Sequence, residues 1–139
     1  MADLVEVATA AAASATEISR KEGWALLQTW REIYCAPVHA ATGKWVYAGG
    51  HGWHTFSNGF FPCLRGHRAL DEYHAQDAAL LLVLPEDDHC PAIRCASSSP
   101  VDFSGLCLDV YIAPDSFEWT MVFTHEQCIG LGPYFARPA

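Results

Sequence analysis

The stretch Ala78–Pro85, AALLLVLP, decides how the rest of the chain folds. An unbroken apolar run with no polar alternation suits a strand covered on both faces, the position of a central strand in a sheet. Proline closes the run, and EDDH (86–89) reads as the exposed turn after it. A sheet must therefore surround this segment, and the sequence downstream supplies its strands. CPAIRCAS (90–97) is a weaker one, with Pro91 placing it near an edge or at a strand start. In LCLDVYIAP (106–114), Leu106, Leu108, Val110 and Ile112 share a face. In FEWTMVFTHE (117–126), Phe117, Trp119, Met121, Phe123 and His125 do. The short connections between these runs, Asp115-Ser116 among them, imply antiparallel neighbours.

Upstream, Ser19 and Glu22 stand at capping-box spacing. Leu26, Leu27, Trp30, Ile33 and Tyr34 then recur on one helical face, and the helix ends before Pro37. A second helix carries Ala69, Leu70 and Tyr73. Between them, KWVYAGGHGWHTFSNG (44–59) reads as two short strands around Gly49–Gly52, since glycine supplies the angles of a tight turn. The expected fold is α+β: a single, mainly antiparallel sheet with two helices packed on one face. Residues 1–15 read as an Ala-rich tail and 16–139 as one domain.

Composition sets the bounds on function. Of 139 residues, 51% are hydrophobic and 17% charged, enough apolar material for a core. Sixteen acidic against eight basic residues give a net charge of −8. Phosphate binding needs clustered Lys and Arg, and here they run no further than Arg20-Lys21, so nucleic acid is excluded as a direct ligand. The acidic balance favours a basic protein partner, and the low charged fraction suits a surface covered by such a partner or by a second copy. No run approaches the roughly 20 apolar residues of a membrane span. The first residues include Asp3 and Glu6 with no basic residue, unlike a secretory leader. The expectation is a cytoplasmic protein whose six cysteines are reduced.

Several groups could carry chemistry. His125 and Glu126 stand where an apolar strand stops. If the strand stays regular, their side chains point to opposite faces, and His125 is a rim cap rather than half of an acid–base pair. His51 and His54 could meet a metal if the glycine turn bends. A third ligand would then come from His89, Cys90, His125 or Cys128, yet no set has a diagnostic spacing. Neither metal nor cofactor is assigned. Cys63 or Cys128 beside a histidine would be a chance pairing as readily as a nucleophile. Gly130, Gly132 and Pro133 read as a turn that tucks Tyr134 and Phe135 onto the sheet.

WTMVFTHE (119–126) followed by GPYF (132–135) resembles the C-terminal part of a family of small, uncharacterised bacterial proteins known as a domain of unknown function. Trp53–Ser57 (WHTFS) and Pro62–Ala69 (PCLRGHRA) are similar to its upstream segments. The resemblance implies a small bacterial domain and transfers no activity. It suggests that Trp53, His54, His125, Glu126 and Tyr134 belong to one site. Two functions are compatible with these features: a non-catalytic protein-binding module, of the immunity or accessory kind, or a small hydrolase or metal-dependent enzyme using a His/Glu rim. Convergence of His51, His54, His125 and Glu126 in one concavity would favour the second.

Overall fold

The computed structural model describes residues 3–11, 13–77 and 79–138; Ala78, at the head of the apolar run, lies outside them. One antiparallel sheet of seven strands organises the chain. The strands are β1 (Ser14–Glu17), β2 (Leu64–Arg65), β3 (Leu81–Pro85), β4 (Ile93–Ala96), β5 (Val110–Ala113), β6 (Thr120–Phe123) and β7 (Tyr134–Ala136). They lie in the order β1-β4-β3-β5-β6-β7-β2. The helices are α1 (Leu4–Ala10), α2 (Arg20–Tyr34), α3 (Ala36–Thr42), α4 (His54–Ser57) and α5 (His67–His74).

Residues 81–85 of the apolar run form an interior strand, as the lack of alternation requires, while Ala79 and Leu80 before them are exposed. β3 is bonded to β4 on one side and β5 on the other, and all five of its residues are buried. Leu82 and Leu84 face one layer, with Leu27, Trp30 and Tyr34 of α2. Leu81 and Val83 face the other, with Leu4 and Ala8 of α1 and Ala69 and Tyr73 of α5. The two helices expected from periodicity thus cover opposite faces of the sheet rather than one. A strand apolar on both sides demands that arrangement.

Three local readings differ. Within the Ala-rich segment, α1 and β1 pack onto the sheet, β1 pairing with β4. Asp3 caps α1 by accepting from the Glu6 amide at 2.9 Å. Pro37 sits in the first turn of α3, where proline is tolerated, so α2 is followed by a second helix and not a loop. The expected hairpin over 44–59 is absent: turns lead into α4 instead. Trp53 and Phe56 explain why. Both are fully buried in one cluster, and residues three apart share a face on a helical turn but oppose each other on a strand.

The trace of β3, β5 and β6 brings two partly buried carboxylates and a histidine to one place. Antiparallel neighbours bring the C-terminal ends of β3 and β6 and the N-terminal end of β5 to the same edge of the sheet. Glu86, Asp109 and Thr124-His125 leave the sheet there together, with the Glu86 amide donating to the Asp109 carbonyl at 2.9 Å.

Candidate functional site

At this edge two carboxylates meet two imidazoles. Asp109 receives His125 Nδ1 at 2.9 Å, and Glu86 Oε2 receives His51 Nδ1 at 2.5 Å; His51 Nδ1 is also 3.5 Å from Asp109 Oδ2. The carboxylate side chains of Glu86 and Asp109 are only 16% and 12% exposed, against 37% and 39% for His51 and His125. The two rings lie edge to face, centroids 5.0 Å apart. A cavity of about 460 Å³ opens above them, with Cys107 and Leu108 on its wall.

Neutral donors fix each carboxylate from behind. Trp53 Nε1 and the His125 amide donate to Asp109 Oδ1 at 2.9 and 3.0 Å. The Gly52 amide and the Tyr111 hydroxyl donate to Glu86 Oε1 at 2.9 and 2.7 Å. Glu86 therefore has one oxygen held by the frame and the other turned to His51, while His125 Nδ1 reaches both oxygens of Asp109 at 2.9 Å. Gly52 is required by this packing: a Cβ there would lie 3.0 Å from the Tyr111 hydroxyl and 3.3 Å from Trp30. Trp53 stacks parallel on His51 at 5.4 Å, and Tyr134 stacks behind it at 6.3 Å.

Protonation is set by this geometry. The hydrogen bond to Asp109 raises the His125 pKa above the ordinary histidine value, against a smaller opposing effect of burial. Burial lowers that of His54, with help from the neighbouring His51. Tyr111 is buried and beside Glu86, and both push its pKa far up, so it donates and does not ionise.

One ring nitrogen each of His51 and His125 and an Asp109 oxygen all lie within 4.8 Å of one another, a group able to hold a metal ion. Zinc is held by bonds of about 2.0–2.2 Å, and three protein ligands leave a fourth position for water. A second group, Asp87, Asp88 and His89, is exposed throughout.

The residues singled out from the sequence are only partly united here. Trp53 and His125 belong to the cluster. His54 packs on Trp53 at 4.3 Å but lines no wall of the cavity, and Tyr134 lies beneath. The expected opposition of His125 and Glu126 does not occur. β6 ends at Phe123, regular alternation stops, and His125 turns toward Trp53 and His51 with Nε2 3.9 Å from Glu126 Oε1. Phe117 likewise leaves the face of Trp119 and Met121, because its backbone is left-handed at φ 55°. Sequence reading missed Asp109, Glu86 and Tyr111. The one signal for Asp109 is an acid inside an apolar strand segment; Glu86 was hidden in an acidic turn.

A one-sheet α+β domain with a histidine–carboxylate cluster at the sheet edge is the class that fold and site define. Residues 5–135 match the family described as "Domain of unknown function (DUF4275)", and the chain belongs to it, in agreement with the resemblance read from its motifs. No curated protein and no solved structure matches the chain.

Proposed function

We propose that the chain is a metal-dependent enzyme of the hydrolytic class, with a divalent ion held by His51, Asp109 and His125 and with Glu86 beside it. One observation carries this reading: two largely buried carboxylates sit at one edge with no Lys or Arg paired to either among the described residues. Burying such charges is costly unless a cation offsets them. A bound divalent ion does so, and it makes water a nucleophile near neutral pH. Glu86 Oε2, the oxygen not held by the frame, is the group suited to take that water's proton.

Elemental analysis of the purified protein, with calorimetric titration of Zn²⁺ and Mn²⁺ into the metal-free form, tests the proposal. One equivalent should bind, and His51→Ala or His125→Ala should each weaken binding by about tenfold or more. A protein that carries no metal and takes up neither ion sinks it. The net charge of −8 supports a second reading, a non-catalytic module for a basic protein, and that reading is the one left standing if no metal binds. Six free thiols suit a reducing compartment such as the cytoplasm.

A further inference from the structure

A second, larger cavity of about 1100 Å³ runs along α2 and shares Pro85, Glu86 and Asp87 with the smaller one. Its floor and one wall are Trp24, Leu27 and Arg31, at intervals of three and four on one helical face; the other wall is the chain from Leu84 to Ala92. Leu27, Leu84 and Ala92 make the depth of the groove apolar, while Trp24, at 63% exposed, is a large aromatic left facing water.

Its charges are not equivalent. Arg20 is paired with Asp88 at 2.8 Å, and Glu86 is directed to His51. Arg31 has no carboxylate partner among the described residues. Its guanidinium lies over the Tyr47 ring at 4.4 Å, half-buried, and lines the groove as Glu86 does. A guanidinium held by stacking keeps its in-plane donors available for an oxyanion.

We propose that this groove is the substrate cleft and that it takes a small organic anion, with the carboxylate or phosphate group on Arg31 and an apolar or aromatic body along Leu27 and Trp24. The inference rests on the metal-centre reading for which end of the ligand would react, since Glu86 lines both the groove and the cavity above the cluster. Apolar walls supply affinity for the body, and Arg31 selects anions over neutral molecules of the same shape.

Calorimetric titration of the zinc-treated protein with 3-phenylpropionate, phenyl phosphate and neutral 3-phenylpropan-1-ol tests it. At least one anion should bind about tenfold or more tighter than the alcohol. The stronger of the two identifies the headgroup. Arg31→Gln should bring that anion down to the level of the alcohol, Arg31→Lys should keep part of the preference, and Trp24→Ala should weaken all three. Binding of neither anion overturns the proposal, as does equal binding of the alcohol or an unchanged affinity in Arg31→Gln. Zinc uptake measured on the same samples separates the two readings. Arg31-dependent anion binding without zinc uptake leaves the groove standing and removes the metal, whereas zinc uptake without anion binding does the reverse.

Discussion

Trp30 and Trp53 form a matched pair for testing whether Asp109 is charged and held by its donors. Both are fully buried. Trp30 Nε1 donates to the Thr120 hydroxyl at 2.8 Å, and Trp53 Nε1 donates to the Asp109 carboxylate at 2.9 Å. Replacing either with Phe removes the same volume and one hydrogen bond, so the packing costs largely cancel between the two variants. The hydrogen-bond costs do not cancel. Losing a bond to a neutral partner costs about 0.5–1.5 kcal/mol, and losing one to a charged group about 1.5–3 kcal/mol. Trp53→Phe should therefore destabilise the metal-free protein by about 1–1.5 kcal/mol more than Trp30→Phe. Urea denaturation followed by far-UV circular dichroism reads this as a lower midpoint at an unchanged slope. Trp53→Phe should also weaken zinc binding about 10–100-fold, the usual effect of freeing a ligand from its supporting donor. Equal destabilisation by the two substitutions, or a greater loss in Trp30→Phe, would refute the reasoning, because Asp109 would then not depend on its donors.

Leu82→Ala, in the strand covered on both faces, should cost about 2–5 kcal/mol through lost burial and a cavity. An unchanged denaturation midpoint would contradict the interior placement of β3. The raised pKa of His125 gives a pH dependence of defined sign. Its contribution to stability is full below the unfolded value, about 6.5, and is lost as pH rises through the higher folded value. The stability difference between wild type and His125→Gln, both metal-free, should thus be largest near about pH 5.5 and shrink toward about pH 8.5. A difference that stays constant or grows with pH would show that His125 gains nothing from Asp109.

Sequence pattern alone reached the sheet and its central strand because the unalternating apolar run 81–85 can be covered only on both sides, although Leu80 just before it is exposed. It also found α2, since Ser19 accepts from the Glu22 amide at 3.2 Å as the spacing required. It misplaced the helices because which face a helix covers is a long-range matter that periodicity does not encode. The glycine segment failed for a local reason: glycines permit a hairpin turn and an open loop equally, and only the shared burial of Trp53 and Phe56 chooses α4. At the site, parity counting assumed that β6 continued to His125. The strand stops at Phe123, where the Thr124 amide turns to the Gln127 side chain at 2.9 Å, and beyond that point alternation no longer holds. Glu86, Asp109 and His125 meet because β3, β5 and β6 are antiparallel neighbours, and His51 joins them from the turn before α4. No spacing motif records such a meeting.

Anomalous X-ray scattering from crystals of the chain soaked in Zn²⁺ tests the metal centre most directly. A peak at the zinc edge should appear about 2.0–2.2 Å from one ring nitrogen each of His51 and His125 and from an Asp109 oxygen, and it should vanish in the Asp109→Asn variant. A map with no peak at this edge of the sheet, or with zinc only at the exposed Asp87, Asp88 and His89, would contradict the proposed centre.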